Sequence, residues 1–177
     1  MIDSLITSKT RVKLLLKFFL NAESTSYLRN LESEFGESTN AIRVELNRFE
    51  KAGLLKSSRV GNKKIFRANK KHPFFPEINK IIRKYTGLEQ VIERVTRKIG
   101  DIKKVYACGD IAKGRDTKTI ELIFVGDNIE TDYLNKIVCK AEKLIRRKIK
   151  YFVCSNGDDK FNLRKIKKKD ILLLWQA

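Results

Sequence analysis

Long apolar spans, metal ligands and paired thiols are all scarce in this sequence. Its longest uninterrupted apolar run, Ile171-Leu172-Leu173-Leu174-Trp175, falls far below the roughly 18–20 residues that cross a bilayer. Met1-Ile2-Asp3-Ser4 lacks the charged-then-apolar order of a secretory leader, so a cytoplasmic protein with no membrane partner is expected. The 3 Cys, at 108, 139 and 154, lie far apart in apolar segments and read as reduced thiols packed as small hydrophobes. With 1 His and no Cys-x-x-Cys, a structural zinc site lacks ligands, and no metal or cofactor is expected. Only 2 Pro and 9 Gly in 177 residues, with 42% hydrophobic residues, exclude a disordered low-complexity chain. Negative charge is also short: 21 Asp+Glu face 39 Lys+Arg, a net +18.

That excess is shared between the halves but concentrated within each. Residues 40–71 carry ten basic residues against Glu45 and Glu50, and residues 140–169 carry twelve against three. A surface so cationic attracts polyanions, and nucleic acid is the leading partner it points to, an acidic membrane surface a weaker one. The stretch Arg164 to Lys169 is read as a solvated basic helix face.

The first half has a regular order. Val12, Leu15, Leu16, Phe19 and Leu20 recur at three- and four-residue spacing, predicting one amphipathic helix over Thr10 to Leu20. After the polar break at 21–25, Tyr27, Leu28, Leu31 and Phe35 predict a short helix stopped by Gly36. Ser38 can cap a third helix, Thr39 to Lys51, which buries Ile42, Leu46 and Phe49 and presents Thr39, Asn40, Arg43 and Asn47. Strand-like runs 54–60 and 63–68 flank a Gly61-Asn62 turn, so a hairpin carrying Lys56, Arg59, Lys63, Lys64 and Arg67 follows directly.

The run from Ser38 to Leu55, with its Glu50-Lys51-Ala52-Gly53-Leu54-Leu55 transition, resembles the recognition helix and wing entry of ArsR-like and MarR-like regulators. The resemblance covers about residues 8–70 and implies a winged helix-turn-helix that reads duplex DNA. Arg43 would then contact a guanine edge, Asn40 and Asn47 a base or phosphate, Ser38 and Thr39 a phosphate at the helix N-terminus, and the wing cations the backbone.

Pro73 and Pro76 mark a joint, with His72 expected as a turn residue. A helical pattern from Ile78 to Ile99 follows, interrupted only by Gly87, and is expected to couple the halves or to form a homodimer. The organisation expected is 1–71 winged helix, 72–100 linker and coupling helix, and 101–177 a second domain, in an α+β or α/β two-domain chain.

That second domain alternates strands and a helix: 104–108, 120–125, helix 132–147, strand 149–154, then a basic stretch and an apolar tail. Gly109, Ala112, Lys113, Gly114 and Leu122 match in register the minimal nucleotidyltransferase domain of the polymerase-beta-type superfamily, which this half resembles. The match is incomplete. Asp110 replaces the phosphate-contacting serine, Thr119 the first carboxylate, and Glu121 stands at the second. The strand Lys150 to Cys154 holds no third carboxylate. Two-metal transfer needs several carboxylates on one face, so a domain without catalytic residues is expected. Gly109, Asp110, Lys113, Gly114, Arg115, Thr119 and Glu121 would form a degenerate site for a small anionic or nucleotide effector, or the domain would serve dimerisation. The functional expectation is a non-enzymatic transcriptional regulator. The rivals are an active, antitoxin-like nucleotidyltransferase whose winged helix binds substrate or partner, and an RNA-binding module.

Overall fold

The computed structural model describes residues 6–96, 101–155 and 170–177. The basic stretch Arg164 to Lys169 lies outside them. Two compact units, Met1–Ile82 and Arg83–Ala177, make up the chain.

The first unit opens with α1 (Lys9–Leu15), capped by Ser8, whose hydroxyl accepts from Arg11 N. The chain then widens into a π-type turn, Leu16–Leu20. The sequence predicts a one-sided stripe here, but Leu14, Leu16, Phe18, Phe19 and Leu20 are all buried, so this segment is enclosed nearly all round. A strand that the sequence reading missed follows, β1 (Thr25–Tyr27), leading straight into α2 (Leu28–Phe35). Gly36, at φ 63, closes α2 in the left-handed conformation that glycine adopts without steric cost.

Helix α3 (Thr39–Lys51) begins where the sequence places it, with Ser38 accepting from Ala41 N at 3.2 Å. Strands β2 (Leu55–Val60) and β3 (Lys63–Ala68) form the expected hairpin around Gly61-Asn62, and β1 adds to its far side in the order β1-β3-β2. Leu31, Ile42, Leu46, Leu55 and Phe66 are buried with Phe18 and Phe19. Each such side chain contributes roughly 1.5–3 kcal/mol by leaving water.

Helix α4 (Phe75–Thr86) is separated from α5 (Leu88–Thr96) by Gly87, at φ 82. In the second unit, β4 (Asp101–Cys108) turns at Gly109 into the single-turn α6 (Gly109–Ala112). Then come β5 (Thr119–Asp127), α7 (Thr131–Ile145), β6 (Lys148–Cys154) and β7 (Ile171–Gln176). The sheet order is β6-β5-β4-β7. β5 and β6 run parallel, joined by the α7 crossover, and the other pairs are antiparallel. The apolar tail is therefore a strand on β4. One sheet face carries Val105, Ala107, Ile120, Leu122 and Phe124, all fully buried, and α5 packs against α7. Cys108, Ile123 and Val125 cluster on the other face with Tyr106, Cys154 and Ile171.

Candidate nucleic-acid interface

Alternation along α3 leaves Asn40, Arg43 and Asn47 exposed and Thr39 partly covered, while Ile42, Leu46 and Phe49 point inward. In front of this polar face lies a hollow of about 650 Å³ lined by α2, α3 and the hairpin tip. Arg43 and Asn47 enter it from α3, Asn62, Lys63 and Lys64 from the hairpin, and Arg29 from α2. Tyr27 and Phe66 form its apolar wall. Lys63 Nζ sits 4.6 Å above the Tyr27 ring and Lys64 Nζ 5.1 Å from the Phe66 ring, so each ammonium group lies against one of the groove's aromatic walls.

Several acidic residues of this unit are engaged away from the groove, and Glu50 answers the charge of Lys64. Glu45, buried on α3, accepts from Arg11 at 2.8 and 3.0 Å and from Arg48 at 3.0 Å. Its carboxyl is held below the usual range chiefly by the Arg11 hydrogen bond, burial opposing. Glu34 takes Lys17 at 2.8 Å, and Glu37 takes Lys13 at 2.7 Å. Glu50 is lowered by Lys64, at 2.6 Å, and by Ser57. Arg29, Arg43 and Lys63 make no ion pair among the described residues, so the groove keeps its positive field.

The hairpin cations divide. Lys64 and Arg59 are cross-strand partners on the face shared with Phe66 and Leu55, which points toward the helices. Lys56 and Arg67 are partners on the opposite face, which Lys63 shares, but they sit at the far end of the hairpin from its tip and do not line the groove. Ser38 accepts from Ala41 N through its hydroxyl oxygen as the cap of α3. Sequence reasoning missed Arg29 and Tyr27. Counting charge from residue 40 onward hid the first, and assigning Tyr27 to a helix hid the second.

In the second unit, Gly109 has φ 67, and a Cβ there would lie 2.5 Å from Glu121 Oε2. The Glu121 carboxylate thus rests against bare backbone, directly across from Cys108, whose thiol is pushed up to about 11 by burial and then by Glu121. Asp110 pairs with Arg115 at 3.1 Å, Asp116 with Arg147 at 2.6 Å, and Lys113 with Asp170 at 3.6 Å. Gly114 is buried, and Thr119 N bonds the Thr117 hydroxyl. Gly109 and Glu121 are together, whereas Asp110, Lys113 and Arg115 are already paired. Among the described residues, no three His, Cys, Asp or Glu lie close enough to hold a metal ion. The donor set around Glu121 does not fit a two-metal centre. Of the cysteines, Cys108 is buried, Cys154 intermediate and Cys139 exposed, so the expectation of three packed thiols is corrected at Cys139. No described helix is long and apolar enough to cross a membrane.

No family model and no curated protein matches the chain. Among solved structures it is similar to a protein of Sulfolobus solfataricus provisionally named a nucleotidyltransferase, at 24% identity and a TM-score of 0.38, over 56% of this chain and 86% of the other. It is also similar to a protein of Archaeoglobus fulgidus, at 15% identity and a TM-score of 0.38, over 52% of this chain and 98% of the other. The first of these carries the name of an enzyme. The expectation of a chain without enzymatic activity therefore does not stand, although likenesses of this depth assign no activity in its place.

Proposed function

We propose that the first unit is a winged helix-turn-helix that binds double-stranded DNA, with α3 in the major groove and the hairpin against the backbone, in a chain that regulates transcription as a homodimer. The observation that supports this most is the shared hollow: Arg43 and Asn47 of the exposed α3 face meet Arg29 and Lys63, which make no ion pair among the described residues, in one concave surface. Arg43 can bond a guanine edge in bidentate fashion, about 1–3 kcal/mol of discrimination, while Lys63 and Arg29 neutralise phosphates without base preference. Recovery of bound genomic fragments, followed by titration of the enriched duplex, tests the reading. Arg43→Ala should flatten the preference for that duplex over a scrambled one. Equal recovery of all fragments by the wild-type chain would contradict sequence-specific reading.

A second reading is nucleotidyl transfer or nucleotide binding by the second unit, and the observation favouring it is the Glu121 carboxylate seated against the left-handed Gly109 backbone. Incubation with labelled nucleoside triphosphates and Mg²⁺ or Mn²⁺ tests it. Label transfer or nucleotide binding that disappears in Glu121→Ala supports this reading, and the absence of both from the wild-type chain counts against it.

A further inference from the structure

The C-terminal end of α7, the segment before β5 and the start of β6 enclose a hollow of about 500 Å³ in the second unit. Lys118, Lys143, Arg146, Arg147 and Lys148 line it against the single carboxylate of Glu142. That carboxylate is already committed: it accepts from Ile149 N at 2.8 Å and lies 3.6 Å from Lys148. Arg147 fixes the wall, donating to Asp116 at 2.6 Å and to the Thr117 carbonyl at 2.5 Å, while Lys148 N bonds the Lys118 carbonyl at 2.9 Å. Lys118, Lys143 and Arg146 are exposed and make no ion pair among the described residues. Three cations without an ion pair among the described residues are therefore held around a concave surface whose backbone is pinned, a field that attracts an anion.

We propose that this hollow binds phosphate groups, as a contact separate from the α3 groove. Its reach favours the phosphodiester backbone of a nucleic acid over a single phosphate. Lys136 and Lys140 are exposed on α7 at the i, i+4 and i+7 spacing that ends at Lys143, so they continue the cationic stripe for about 10 Å along the helix. The proposal does not depend on α3 reading bases, and its test separates the two.

Cys139 lies in the wall of the hollow and is exposed, which makes it a built-in reporter. The full chain is treated with iodoacetamide at low salt, and modification of the Cys139 peptide is followed by mass spectrometry with a DNA oligonucleotide duplex, with inorganic pyrophosphate, or alone. The duplex should slow Cys139 modification severalfold in the wild type and in Lys63→Ala with Lys64→Ala, and not in Lys118→Gln with Lys143→Gln and Arg146→Gln. The same triple substitution should lower the salt slope of duplex binding by about 2 to 3, near 0.9 for each lost phosphate contact. All three side chains are exposed, so the variant is expected to fold, and its unfolding temperature checks that. Protection by pyrophosphate equal to that by the duplex at matched phosphate concentration would assign the hollow to free phosphate compounds. Protection that persists in the triple variant, or no protection from either ligand, overturns the proposal.

Discussion

Arg11 on α1 and Glu45 on α3 are joined by two hydrogen bonds, Nε to Oε2 at 2.8 Å and Nη2 to Oε1 at 3.0 Å, with the Glu45 side chain only 6% exposed. The pair fixes the first helix against the helix that presents Arg43, on the side of α3 opposite the groove. Removing Arg11 leaves a buried charge answered by Arg48 and the Ser8 hydroxyl, and Arg11→Ala should cost about 1–3 kcal/mol in denaturant unfolding. Because Arg11 holds the folded-state Glu45 carboxyl below its ordinary value near 4.5, the stability it supplies is complete above that value. It drains as the pH falls through the lower, folded-state value. Glu45→Gln should therefore be less stable than wild type near neutrality, with the difference shrinking in acid. An acid limb unchanged by that substitution would contradict this.

The split of the hairpin cations gives a second expectation. Arg29→Ala should weaken duplex binding more than Lys56→Ala with Arg67→Ala together. Arg29 lines the groove, whereas the other two lie at the end of the hairpin away from its tip, outside the groove, and are screened over about 8 Å at physiological salt. Fluorescence anisotropy on one duplex at fixed salt ranks the variants, and the reverse order would mean the base of the hairpin carries the contact.

Gly87 joins α4 and α5 at φ 82, and a Cβ there would meet the Ile145 side chain at 2.8 Å. Gly87→Ala therefore suffers both left-handed backbone strain, roughly 1–2 kcal/mol, and a clash inside the second unit. Thermal unfolding should show a loss of several degrees, partly regained when Ile145→Ala is added. An alanine variant as stable as wild type would show that the break is not set by glycine.

Thiol reactivity should separate Cys139 from Cys108. With its thiol pushed up to about 11 and its side chain buried, Cys108 holds almost no thiolate at pH 8. Alkylation of the native chain at that pH should label Cys139 first and Cys108 only on unfolding. Raising the pH toward 11 should increase labelling of Cys108 only as far as access allows.

Much of the chain was legible because local signals agreed with the fold. The Ser38 cap, the Gly36 and Gly61 turns and the Ile42-Leu46-Phe49 stripe together placed α3 and the hairpin within a residue or two. What escaped depended on distant partners. Strand β1 is three residues long and exists because β3 offers it an edge, from Thr25 opposite Arg67 to Tyr27 opposite Ile65. β7 carries no alternation, since Ile171 to Trp175 is apolar throughout, and only pairing with β4 makes it a strand. Nor does charge counting reveal which cations are spent. Lys13, Lys17 and Arg11 hold helices together, while Arg29 and Lys63 do not. The sequence grouped Lys63 with Lys64, and strand alternation alone divides them between two faces.

The central claim is that the polar side of α3 and the hairpin tip grip one duplex, and amide chemical-shift mapping tests it most directly. On titration with the enriched duplex, the largest changes should fall on the amides of Asn40, Arg43 and Asn47 and on 61–64, with Lys56 and Arg67 little affected. Changes centred on Lys56, Arg67 and β1, with the α3 face silent, would contradict the account.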